Sequence, residues 1–194
     1  MYKCQLTIQI LKGDLIMNKT TRNMTLSAMF IALALVLPFF TGQIPQIGSM
    51  LLPMHFPVFL TGLICGWQYG LTVGAIVPLL RHLMFGMPPM LTAIAMAFEL
   101  ATYGLVAGYI YTRAKKQTVT TIYTSLLSAM VIGRIVWGIV QIIILNFTGS
   151  AFTVQMFMAG ALLNAIPGII AQLVIVPIIM VALDKAKIIK FKNV

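Results

Sequence analysis

The sequence describes an all-α integral membrane protein with six transmembrane helices and both termini in the cytoplasm. Three observations lead there. Of 194 residues, 60% are hydrophobic and only 8% are charged, against about 45–50% and about 25% in soluble domains. Such a chain cannot clothe a soluble globule in charge, and its apolar content excludes disorder. Apolar runs of span length recur from end to end. The basic residues, finally, cluster on one side of a six-span arrangement.

The runs between helix breakers place the helices at Met24–Phe40, Leu52–Cys65, Tyr69–Phe85, Leu91–Tyr111, Thr121–Phe147 and Phe152–Leu183. The second and third are short for a bilayer core of roughly 30 Å, which wants about 20 residues per span. Joined by the Gly66-Trp67-Gln68-Tyr69-Gly70 turn, they form a compact hairpin or include a partly re-entrant segment. Residues 17–194 make one membrane domain. Residues 1–16 have no clear apolar core or small-residue cleavage site of a signal peptide. Lys12-Gly13-Asp14 can be encoded as AAA-GGA-GAT, a ribosome-binding sequence just ahead of Met17, so translation is expected to start at Met17.

The net charge of +10 comes from 13 Lys and Arg against 3 Asp and Glu. Lys3, Lys12, Lys19 and Arg22 precede helix 1. Arg113, Lys115 and Lys116 follow helix 4, and Lys185, Lys187, Lys190 and Lys192 follow helix 6. All lie on one side of a six-span chain, while Thr41–Leu51 and Asn146–Ala151 on the other side carry none. The positive-inside rule puts both termini in the cytoplasm; a five-span chain would divide the terminal clusters. These cations orient helices and meet lipid headgroups, which removes nucleic acid as a partner.

The remainder is Arg81, Arg134 and Glu99. A charge at the bilayer centre costs at least roughly 2.5–3.5 kcal/mol and marks a functional site by default. At about 1.5 Å per residue from the outer ends, Glu99 lies about 12 Å down, Asn164 about 18 Å, Arg134 about 20 Å and Gln141 about 9 Å. Arg81 and His82 sit at the outer end of helix 3. Arg134, Trp137, Gly138 and Gln141 share one stripe of helix 5, and Ala95, Glu99, Thr102 and Tyr103 share one of helix 4. Asn164 precedes Pro167-Gly168, where a proline can open a helix beside a cavity. Together these residues suggest a polar cavity in the outer half of the membrane, with an aromatic wall from Trp137 and Tyr103. Its formal excess of one positive charge suits a carboxylate, which Arg binds bidentately. Two plainer readings stand beside this one: Glu99 and Arg134 as a structural ion pair, and Arg81 snorkelling to outer headgroups.

Other chemistries lack their residues. There is no G-x-x-x-x-G-K-[ST] loop for ATP, no H-E-x-x-H and no Ser-His pair in the core. Asp14 and Asp184 lie outside the core, so no carboxylate pair holds Mg²⁺ for lipid-diphosphate chemistry. Cys4 and Cys65 have no metal-like spacing. An intramembrane enzyme is thereby disfavoured. A proton-coupled secondary transporter using Glu99 is the alternative, although no inverted repeat is evident.

Ala28 and Ala32 form a small-xxx-small pair in helix 1, the kind that lets helices approach closely in lipid. Gly62, Gly66, Gly70 and Gly74 recur every four residues, and Gly104 and Gly108 follow in helix 4; packing within the chain explains them. With the six helices, the Ala28/Ala32 pair and the uncharged Thr41–Leu52 segment, the chain from Asn18 to Asp184 resembles the substrate-binding S component of an energy-coupling factor (ECF) vitamin transporter. Leu52-Pro53-Met54-His55-Phe56-Pro57, Val77-Pro78-Leu79-Leu80-Arg81 and Phe85-Gly86-Met87-Pro88-Pro89 look like the pantothenate/pyridoxine-type branch.

The resemblance implies a component of an ABC-type importer in a bacterial plasma membrane. It would bind a vitamin from outside through the first outer loop and helices 4–6. It would dock by the small-residue face of helix 1 on a transmembrane coupling protein, and topple to release cargo. Two cytosolic ATPases would supply energy, so ATP and Mg belong to partners and this chain holds no cofactor or metal. Pantothenate is the favoured cargo, its carboxylate answering Arg134 and Arg81 and its hydroxyls and amide meeting Glu99, Asn164 and Gln141. A pyridoxine- or hydroxymethylpyrimidine-type ring, stacked on Trp137, comes next.

Overall fold

The computed structural model describes residues 19–40, 52–147 and 165–186. They form α1 (Lys19–Phe40), α2 (His55–Cys65), α3 (Trp67–Phe85), α4 (Met90–Arg113), α5 (Val119–Phe147) and α6 (Ile166–Lys185). Four of these, α1, α4, α5 and α6, are long and apolar enough to cross a membrane. The α2 helix has 11 residues, about 16 Å at the standard rise, and α3 carries Arg81 and His82. Residues 1–16, the segment Thr41–Leu51 and the expected start of helix 6 at Phe152 lie outside the described residues.

Helix boundaries follow local chemistry. The expected second helix begins at Leu52, but α2 starts three residues later. Leu52 precedes a proline, which disfavours the helical region, and sits at φ 51°; the His55 amide then donates to the Leu52 carbonyl at 3.0 Å to close the turn. The expected five-residue turn between helices 2 and 3 shrinks to Gly66 alone, whose φ of 103° suits a residue without Cβ. At the other end, α3 stops at left-handed Gly86, whose amide donates to the His82 carbonyl at 2.8 Å in the usual glycine C-cap manner.

Glycines set the packing of α2, α3 and α4. A Cβ on Gly62 or on Gly70 would come within 2.5 Å of the Gly104 carbonyl oxygen. One on Gly74 would strike the Leu100 backbone, and one on Gly104 the Gly70 backbone. Three helices thus meet almost backbone to backbone, as small residues allow where lipid supplies no hydrophobic force between helices. Phe59, Tyr103, Ile122, Leu126 and Met180 fill the main core between α2, α4, α5 and α6, and Ala34, Val58, Val77 and Leu100 fill a second between α1, α2, α3 and α4.

The α1 helix buries Asn23, Ser27, Phe30, Ala34 and Pro38. Asn23 donates from Nδ2 to the Cys65 carbonyl at 3.2 Å. The opposite face, with Met24, Ala28, Met29, Ala32, Leu33 and Val36, is exposed.

Candidate functional site

Glu99 and Tyr103 are four residues apart on α4, so their side chains stack on one face. Both are 2% exposed. The Tyr103 hydroxyl donates to Glu99 Oε1 at 2.7 Å. From α5, Arg134 Nη1 reaches the same oxygen at 2.9 Å. From the start of α2, His55 Nε2 stands 3.9 Å from it, beyond hydrogen-bond range. Three helices therefore converge on one carboxylate oxygen.

The scaffold behind this centre is aromatic and tight. Phe59 stacks on the Tyr103 ring with centroids 5.1 Å apart and planes 15° from parallel. His55 leans on the other part of the site, its ring 5.4 Å from that of Tyr103. Gly133, next to Arg134, gives up its side chain to the Tyr103 ring: a Cβ there would strike Cδ1 and Cε1. Tyr103 thus aligns both the acceptor and the helix that carries the cation.

The hydrogen bonding is incomplete in a particular way. Arg134 spends Nη1 on Glu99, while its Nε and Nη2 are buried without a partner among the described residues. Those two nitrogens form one edge of the planar guanidinium, the edge that receives a carboxylate bidentately. Both His55 ring nitrogens, on a residue 1% exposed, are also without a partner. Buried polar atoms are almost always satisfied, and exceptions call for an explanation. His55 and Glu99 offer two metal-ligand types, but among the described residues no third His, Cys, Asp or Glu joins them.

Of the residues expected in the site, Glu99, Tyr103 and Arg134 meet. Trp137 and Gln141 follow Arg134 on α5 at the expected spacing and are half-buried. Asn164 lies outside the described residues. Arg81 and His82 make their described contacts away from Glu99. Arg81 is 7% exposed. It donates from Nη1 to the Leu35 carbonyl at 2.9 Å and packs against the Phe39 and Phe85 rings at 5.5 and 5.6 Å. Pro38 breaks the hydrogen-bond ladder of α1 nearby, and Arg81 fastens that weakened end to α3. His82 Nδ1 donates to the Pro88 carbonyl at 2.8 Å and fastens the α3–α4 connection. Among the described residues, the charged pair in direct contact is Glu99 and Arg134.

His55 was absent from the expected site. Its signal was present, since an ionisable side chain within an apolar segment is a functional hypothesis by default.

Residues 22–180 match the family described as the ECF transporter, substrate-specific component. No curated protein matches the chain, and no solved structure does.

Proposed function

We propose that this chain, which belongs to the ECF transporter substrate-specific component family, captures a carboxylate-bearing vitamin, pantothenate first among them, for ATP-driven uptake. The observation that carries this reading is the unpartnered Nε–Nη2 edge of buried Arg134, held in place by Glu99 at Nη1. A ligand carboxylate satisfies both nitrogens at once and removes the cost of leaving them desolvated, about 1–3 kcal/mol for each such group. Glu99 and Tyr103 serve as positioning residues, since the Glu99 oxygen already accepts from both neighbours. Trp137 and Gln141, further along the same face, are the contacts offered to the rest of the cargo. A pyridoxine- or pyrimidine-type cargo, donating to the Glu99 carboxylate, would leave the Nε–Nη2 edge of Arg134 without an anion and is the second choice.

In this proposal the six helices all span the bilayer and both termini face the cytoplasm, as the basic clusters require. Ala28 and Ala32, on the exposed face of α1, dock on the transmembrane coupling protein, and two partner ATPases bind the ATP and Mg. The test is calorimetric binding of a vitamin panel to the purified chain, with pantothenol, in which CH₂OH replaces the carboxylate, as the matched control. Pantothenate should bind, pantothenol should bind far more weakly, and Arg134→Ala should erase the difference. Equal affinity for the acid and the alcohol would refute the carboxylate reading.

A further inference from the structure

The balance of charge around Glu99 has a consequence for His55. Arginine stays protonated in proteins, so Arg134 and an ionised Glu99 cancel. A carboxylate received by the Nε–Nη2 edge of Arg134 then brings one uncompensated negative charge into a buried cluster, where charge is strongly penalised. His55 is the group placed to neutralise it. It is 1% exposed, its Nε2 stands 3.9 Å from the Glu99 oxygen, and both its nitrogens are without partners among the described residues.

Resting on the carboxylate reading above, we propose that His55 is a specificity-determining residue that takes up a proton when the anion binds, so that cargo enters as a carboxylate together with one proton. In the empty cluster the Arg134 and Glu99 charges already cancel. With cargo present, a proton on His55 would bring the summed charge of His55, Arg134, Glu99 and the ligand carboxylate back to zero. A neutral isostere of the cargo brings no charge, calls for no proton and leaves the Arg134 edge half-used. His55 thus adds discrimination for acids over their amides and alcohols.

Among the described residues the groups facing His55 are few, and the alternative proton acceptor is Glu99 itself, which the His55→Gln variant distinguishes. From α4 it faces Glu99 and the Tyr103 ring, and from α5 Arg134 joins through Glu99. On α3, Arg81 is committed to the Leu35 carbonyl and His82 to the Pro88 carbonyl. The half of α1 from Phe30 to Phe40 has no titratable residue, and on α6 Asp184 and Lys185 lie at the far end of the helix.

The experiment is calorimetry of pantothenate binding to the full chain in buffers of different ionisation enthalpy, which counts protons taken up. Wild type should take up about one proton per ligand, and its Kd should rise with pH, by about tenfold per pH unit wherever one proton is taken up, as linkage requires. Pantothenol, where it binds, should take up none. His55→Gln should bind pantothenate more weakly, with no proton uptake and a flat pH profile. Binding by wild type without proton uptake would overturn the inference and leave the carboxylate reading intact, whatever His55→Gln does. Undiminished proton uptake in a folded His55→Gln chain would assign the proton elsewhere and overturn it too. Failure of every carboxylate-bearing vitamin to bind wild type would overturn the carboxylate reading and this one with it.

Discussion

Replacing Glu99 and Arg134 singly and together separates a structural pair from a ligand site. In Glu99→Leu, the Arg134 guanidinium, whose side chain is 13% exposed, loses its counter-ion, and the Tyr103 hydroxyl loses its acceptor. Breaking a buried pair from one side costs about 3–5 kcal/mol, a factor of more than about 100 in the folding equilibrium. Arg134→Met is milder, because Glu99 keeps the Tyr103 hydrogen bond and can be neutralised by protonation. In the double variant both charges are gone, and removing such a pair is often neutral or stabilising by about 1–4 kcal/mol. Against that stands an orphaned Tyr103 hydroxyl, at about 1–3 kcal/mol. The double variant should therefore recover most of the stability lost in Glu99→Leu while binding no pantothenate. Thermal unfolding in detergent micelles and calorimetric binding measure the two properties on the same sample. A double variant that binds like wild type would reduce the pair to packing. A double variant no more stable than Glu99→Leu would refute the charge-compensation argument itself.

Three further outcomes follow from the packing. Gly104→Ala should lower the unfolding temperature, since its Cβ meets the Gly70 backbone and overpacking costs typically about 1–3 kcal/mol; a chain as stable as wild type would show that the α3–α4 contact is looser than described. Arg81→Met should destabilise by about 1.5–3 kcal/mol, the scale of a hydrogen bond to a charged group, yet leave pantothenate affinity within a few-fold, because Arg81 serves Leu35 and not Glu99. A large loss of affinity in stable Arg81→Met would return Arg81 to the site. Ala28→Trp, on the exposed face of α1, should abolish uptake in cells while sparing vitamin binding by the purified chain; loss of both together would indicate misfolding.

The helices were legible because the apolar runs are long and their breakers are glycine and proline, whose backbone effects are local. The Glu99–Arg134 meeting was legible for a different reason: few ionisable groups lie in the apolar runs, and opposite charges in lipid seek each other. Depth counting gave a poorer account. It put Arg134 about 8 Å deeper than Glu99, yet their side chains touch. The α5 helix has 29 residues, about 44 Å of helix against a core of roughly 30 Å, so counting inward from Phe147 overstates depth. The Arg81 contact could not be read from its own neighbourhood. Its acceptor is a backbone carbonyl 46 residues away, and carbonyls leave no mark in a sequence. The Tyr103–Gly133 contact was hidden for the same reason, because a missing side chain on one helix signals nothing about the ring that fills its place.

The site draws on two bodies that are held together differently. His55 and Glu99 belong to the α2–α3–α4 unit, where Gly62, Gly70 and Gly104 bring backbones into contact and leave no slack for relative movement. Arg134 belongs to α5, which meets that unit through side chains: the Tyr103 ring against Gly133 and the carboxylate bridge of Glu99. A side-chain interface can repack at a cost of one or two rotamers, whereas a backbone interface must separate whole helices. The Glu99–Arg134 bridge therefore joins α5 to the glycine-packed unit. The glycines, remote from the charges, fix the relative placement of the helices that carry His55 and Glu99.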